Sequence, residues 1–284
     1  MADPAFANYS TQSWQGYGGA NFAHSVGTTD YRILIVYYES SDWVNIALTT
    51  ATYAGVAMTL QFSGITNYGG TRPSAIAVFY LVSPTSGENT VIVNTNGGNS
   101  TGRHSAAAVT YTGASTDSSN VFKSGQEKST AFADNSTASF SHSPTADDSS
   151  LVVNAWATIL ASGHGGREAG QTERLEIGDG GAGGLSVTDR DGTAAAVTVS
   201  GSDGSSDDGI AAYSWSHVLL PPQNVTVDAS AVPASVATAA AIGAVDDGNI
   251  GINADFLRGT LSVTIGSITE RPPIEADMVV RNIT

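Results

Sequence analysis

At 284 residues the chain has room for one large domain or a domain with an appendage, and with no cysteine it excludes disulfides, thiolate metal sites and cysteine nucleophiles. Its 26 acidic and 11 basic residues leave a net charge of −15, which argues against nucleic acid and anionic membrane as partners. Only 13% of residues are charged, against about 25% in ordinary globular domains, so Ser, Thr, Gly and Asn carry the solubility.

The first residues, Met1-Ala-Asp-Pro-Ala-Phe6, hold no basic stretch followed by an apolar run, so no secretory signal is visible. No apolar segment approaches the roughly 18 residues of a membrane span. Residues 1–23 read as an N-terminal arm. Three strongly apolar runs follow: Tyr31-Arg-Ile-Leu-Ile-Val-Tyr-Tyr38, Ala75-Ile-Ala-Val-Phe-Tyr-Leu-Val82 and Thr90-Val-Ile-Val93. Between them, residues 53–59 read as a tight turn and residues 83–89 as a loop.

Further runs continue the pattern at 105–112, 138–142, 150–157, 194–200 and 210–218. Each is short, rich in β-branched, aromatic or small residues, and bounded by Gly, Asn, Ser or Asp. Helical periodicity is hard to find, and 32 glycines with 9 prolines punctuate the chain too often for long helices. The reading is all-β: about eight to ten antiparallel strands over 24–220, enough for a two-sheet sandwich. In the run from Ile210 to Val218 neither face is charged, which predicts a central strand. Residues 162–170 and 178–184 are glycine-rich loops, with a short strand at 172–177 between them.

Pro221-Pro222 marks a boundary, and residues 221–284 form a C-terminal β tail. Within it, Thr260-Leu-Ser-Val-Thr-Ile265 alternates cleanly, with Leu261, Val263 and Ile265 on one face. The tail has one aromatic, Phe256, and too little apolar surface to offset the entropy of ordering it alone. It is expected to need the main domain or a neighbouring subunit.

The order of the runs at 31–36, 52–59 and 78–93 resembles a β-sandwich module widespread in uncharacterised bacterial, metagenomic and phage proteins. That module looks like a jelly roll of the concanavalin/laminin-G type. Segments 107–113, 149–154 and 202–213 match its later landmarks, so the resemblance covers about residues 22–220. It implies a jelly-roll sandwich on an extracellular or virion surface, with a glycan-binding or assembly role and no catalytic residues to carry over.

Several constellations bear on chemistry. Asp189-Arg-Asp-Gly192 begins like a calcium loop, but no further acidic series completes it. Asp203, Asp207 and Asp208 share one Gly/Ser loop where clustered oxygens suit calcium, although such residues also make turns by bonding their own backbone. The histidines at 24, 104, 142, 164 and 217 form no metal-ligating pair at strand or helix spacing. No G-x-S-x-G elbow occurs, and the carboxylates lie mainly in Gly/Ser loops, so no enzyme is expected. Trp14, Tyr17, Tyr38, Trp43 and Tyr68 lie in or beside predicted loops; Tyr17 and Tyr68, next to paired glycines, suit stacking on sugars. Sequons occur at Asn8, Asn99, Asn135, Asn224 and Asn282, of which Asn99 and Asn135 fall in expected loops.

These features lead to one expectation and one rival. The expectation is a non-enzymatic protein that assembles with itself into a filament, or decorates a virion, by strand donation through Leu261, Val263, Ile265 and Ile268. The rival is a carbohydrate-binding module using loop aromatics, with or without calcium. No other cofactor, nucleic acid or membrane insertion is expected.

Overall fold

A computed structural model describes residues 3–16, 18–41, 49–68, 72–95, 102–123, 127–133, 139–158, 164–177, 184–203, 210–222, 240–242 and 252–254. Among them there is no helix, and every strand pairing is antiparallel. The chain divides into two compact units, residues 1–222 and 223–284.

The first half of the larger unit contains β1 (Ala5–Gln15), β2 (Ala20–Val26), β3 (Ile33–Ser41), β4 (Thr50–Tyr53), β5 (Val56–Ala57), β6 (Thr59–Tyr68), β7 (Arg72–Val82), β8 (Gly87–Asn94) and β9 (Arg103–Thr112). They form two sheets, ordered β1-β9-β3-β7-β6 and β2-β8-β4-β5. From β1 to β4, and again from β7 to β9, each strand crosses to the facing sheet. Ala54 and Gly55 both have positive φ (51° and 78°), which closes the β4–β5 hairpin in the sense that matches strand twist.

The second half contains β10 (Glu127–Ala133), β11 (Ser139–His142), β12 (Thr145–Ala146), β13 (Leu151–Thr158), β14 (His164–Gly165), β15 (Thr172–Ile177), β16 (Gly184–Asp191), β17 (Ala195–Ala196), β18 (Val199–Asp203) and β19 (Ile210–Leu219). Its large sheet is ordered β10-β19-β13-β16-β15, the same plan as the first. A facing layer of β11-β18-β14 and β12-β17 corresponds to β2-β8-β4. The repeat extends to irregularities. The β6–β7 register slips between Leu60 and Phe62, opposite Phe79 and Val78. The β15–β16 register slips between Glu173 and Leu175, opposite the equivalent Thr188 and Val187.

The single sandwich expected over 24–220 is therefore two sandwiches in tandem, joined through their large sheets. Among the described residues, three apolar cores separate the layers. Leu34, Val36 and Tyr38 of β3 face the β2-β8-β4 sheet with Tyr53, Val91 and Val93. Ile33, Ile35 and Tyr37, on the other side of the same strand, meet Val153, Val187 and Trp215 of the second large sheet. Val152 and Val218 turn outward to Val197 and Val199. Being covered on both faces, β3 and β13 are buried at every residue. Two-sided burial makes such strands read as continuous apolar runs rather than alternating ones.

The stretch expected as an arm is not separate from the sandwich. β1 pairs with β9 along its length, from Ala5 opposite Thr112 to Gln15 opposite Arg103. Between the halves, Asp117 accepts hydrogen bonds from the Ser119 N–H (3.0 Å), the Ser119 hydroxyl (2.6 Å) and Asn120 Nδ2 (2.7 Å), which fixes the connecting loop. In the smaller unit, β20 (Ala240–Ile242) pairs with β21 (Ile252–Ala254).

Candidate functional site

The first sandwich ends on one side in β1 and, one layer away, β2. No charged residue occurs between Asp3 and Asp30, so both edges are charge-free in a chain of net charge −15. Side chains of β1 lace the two layers together. Asn8 Nδ2 donates to the Ser25 carbonyl at 2.6 Å, and the Asn21 N–H donates to Gln12 Oε1 at 2.7 Å. His24 bridges the Ser10 hydroxyl (3.1 Å) and the Thr110 hydroxyl (2.8 Å). Burial lowers the His24 pKa to about 4, so it works as a neutral linker. The half-buried side of β1 is polar because its partners are backbone and hydroxyl groups of a second layer.

Trp14 and Tyr38, expected beside loops, are packed instead. Tyr38 is buried in β3, and its ring stacks with those of Trp14 (5.9 Å) and His104 (5.9 Å). The Tyr38 hydroxyl meets His104 Nδ1 at 2.9 Å. Burial holds His104 at about 4 as well and raises the Tyr38 phenol. These rings stack on one another, with Tyr38 and His104 buried and Trp14 partly buried.

A second polar set lies between the sandwiches. Asp189 is not part of a loop; it sits on β16, pointing inward, 1% exposed, with Arg174 Nε donating to its Oδ2 at 2.7 Å. The start of a calcium loop read at 189–192 is thus strand backbone with its first carboxylate already engaged. Burial raises the Asp189 pKa while Arg174 opposes that rise, and the Arg174 guanidinium also covers the Phe6 ring at 4.7 Å. Burial first and the Asp189 charge second push the Tyr37 phenol upward. His217 is wholly buried here, stacked on Trp215 and edge-on to Phe122 at 4.9 Å.

Between the layers of the second sandwich lies a buried chain of hydrogen bonds. Ser216 Oγ donates to Asn154 Oδ1 at 2.8 Å, and His142 Nδ1 lies 2.6 Å from the same hydroxyl. One hydroxyl proton cannot serve both, so His142 carries its proton on Nδ1 and donates. Nε2 then accepts from Ser214, 3.3 Å away. The arrangement satisfies buried polar groups, and Ser216 is fully buried.

The remaining residues singled out in the sequence fall as follows. Leu261, Val263, Ile265, Ile268, Tyr17, Trp43, Asn99, Asn135, Asn224, Asn282, Asp207 and Asp208 lie outside the described residues. Tyr68 pairs with Arg72 at the end of β6 and Asp203 with His164 at the end of β18; the side chains of both are outside the described set. Among the described residues no group of three or more His, Cys, Asp or Glu could hold a metal ion. Sequence reasoning missed the charge-free edge of β1, whose signal is the unbroken run without charge from residue 4 to residue 29.

Comparison with protein-family models, curated proteins and solved structures gives no match.

Proposed function

We propose that this is a non-enzymatic structural protein that assembles with itself into an extracellular filament or decorates a virion surface, its C-terminal tail pairing with a neighbouring subunit. The observation that carries this reading is the division of the chain after Pro222. The described residues of 1–222 enclose apolar cores of their own, whereas the described part of the tail is one pair of three-residue strands. The tail sequence holds a single aromatic and too little apolar surface to offset its own ordering, so joining another sheet would stabilise it. The alternating stretch Leu261, Val263 and Ile265, with Ile268, suits that exchange. A surface poor in charge and rich in Ser, Thr and Asn fits a protein that packs against copies of itself.

Size-exclusion chromatography tests the proposal on the full chain, on Val263→Asp and on a chain lacking residues 223–284. The full chain elutes as a large species, and both variants elute as soluble particles of one or two chains. Unchanged assembly after the deletion overturns the proposal. Saturable binding in a glycan titration, lost on changing Tyr17 and Tyr68, would favour the carbohydrate-binding alternative.

A further inference from the structure

We infer that the open edge of β1 docks the β1 of a second copy of this chain, antiparallel and about a two-fold axis, so that the sheet β1-β9-β3-β7-β6 runs on through both copies. This contact belongs to the body of the protein and makes no use of the tail.

β1 is an 11-residue strand that, among the described residues, pairs with β9 alone. An open edge invites pairing with another chain, and proteins usually guard it with lysine, proline, inward charges or bulges. β1 has none of the first three. Its one irregularity, between Phe6 and Asn8, leaves the stretch from Asn8 to Gln15 regular, matched one to one with Thr110 to Arg103. In a chain of net charge −15, two copies repel at most approaches, and that repulsion is weak at the charge-free segment between Asp3 and Asp30, as it is at the one between Asp42 and Arg72.

The competing edges are less suited. β2 is occupied: its outward Asn21 N–H and Ser25 carbonyl are taken by Gln12 and Asn8 of β1. β10 carries Glu127 and Lys128, and β15 carries Glu173, Arg174 and Glu176. β6 is uncharged too, and its bulge at Gln61 sits at the third residue just as that of β1 does, but the regular stretch it leaves, Phe62 to Tyr68, is shorter than Asn8 to Gln15.

Strand direction selects the symmetry. Five antiparallel strands leave β1 and β6 running the same way. Copies related by translation would therefore join β1 to β6 in parallel, the slightly weaker pattern. A two-fold axis joins β1 to β1 antiparallel and keeps the whole extended sheet uniform, an isologous contact that closes on itself. Such an axis also keeps each face of the sheet continuous, so exposed residues of β1 oppose exposed residues. With the axis at Thr11, Thr11 meets its own counterpart and Tyr9, 49% exposed, lies opposite Ser13 of the second copy. Threonine pairs and aromatic contacts of this kind stabilise cross-strand neighbours.

The absence of native cysteine makes the test direct. Thr11→Cys, Thr59→Cys on β6 and Ser119→Cys in the connecting loop are each made in the full chain and oxidised gently. Directly opposed residues bring their Cβ atoms to about 4.5–5.5 Å, within small adjustment of a disulfide. Non-reducing gels should show a dimer band for Thr11→Cys far exceeding those of the other two. In parallel, Tyr9→Lys with Thr11→Lys should abolish a species of two chains seen by sedimentation velocity, with the circular dichroism spectrum unchanged. Equal cross-linking at all three positions, or none at Thr11, overturns the inference. So does loss of association in the lysine variant without any Thr11→Cys dimer, because another strand would then occupy the edge. The tail is intact throughout, so failure here leaves the tail's role standing, and the reverse holds too.

Discussion

The His217 imidazole lies nearly face to face on the Trp215 indole, ring centroids 3.8 Å apart and 29° from parallel, in the core that joins the two sandwiches. Its neighbours across that core are Tyr37, at 6.4 Å, and Phe122. Such a site favours neutral imidazole, and burial drives the His217 pKa well below the ordinary value.

Acid should therefore unfold the protein early. His24 and His104, both at about 4, and His217, held well below its ordinary value by burial, bind protons more readily in the unfolded chain, where histidine titrates near 6.5. Their contribution is complete above about pH 6.5 and is lost as the pH falls below it, at up to about 1.4 kcal/mol per pH unit for each histidine. Asp189, raised by burial, works in the opposite sense in the carboxylate range. Thermal melts between pH 8 and 4.5 should show the midpoint falling with pH, and His217→Phe should flatten the slope by about a third. A midpoint independent of pH contradicts the buried placement of the three rings.

Arg174→Met should strand the Asp189 carboxylate in the same core. Asp189 is buried while the Arg174 side chain is 28% exposed, so leaving the carboxylate without this partner costs about 1–3 kcal/mol. Adding Asp189→Leu to Arg174→Met should recover most of that loss, because a volume-conserving apolar pair needs no charge partner. Urea unfolding of both variants and the parent chain measures this. A double variant no more stable than the single one would show that the pair is not buried as described.

Gly64 has no room for a side chain. A Cβ there would run into the Tyr213 ring, which packs from β19 against β6. Gly64→Val is expected to cost about 1–3 kcal/mol, the usual penalty for overpacking a core. The same change at Gly27, where a Cβ meets only Thr29 Oγ1 at 3.9 Å, should cost far less. Equal losses at the two positions in urea melts would place the sandwich contact elsewhere.

The all-β class was legible because the strand runs are short, β-branched and separated by turn chemistry. The number of sandwiches was not. The first run, Ile33 to Tyr38, does not alternate because odd residues enter one core and even residues the other, and an unbroken run does not say which layers cover it. The tandem repeat is hidden by polar replacement: register equates Val36 with Asn154 and Ala108 with Ser216, and those polar residues bond one another and His142 instead of packing. β1 escaped notice because an edge strand laced by Asn8, Ser10 and Gln12 carries too few apolar residues to announce itself. The Asp189 carboxylate misled for the opposite reason: an Asp-x-Asp-Gly sequence suits a loop, yet its partner Arg174 lies 15 residues upstream on the neighbouring strand.

Negative-stain electron microscopy of the purified full chain, at several concentrations and near physiological salt, tests the central claim of self-assembly most directly. The account predicts regular filaments or repeating oligomers that disappear when residues 223–284 are removed. Uniform particles the size of a single chain, at every concentration and with the tail intact, would contradict it.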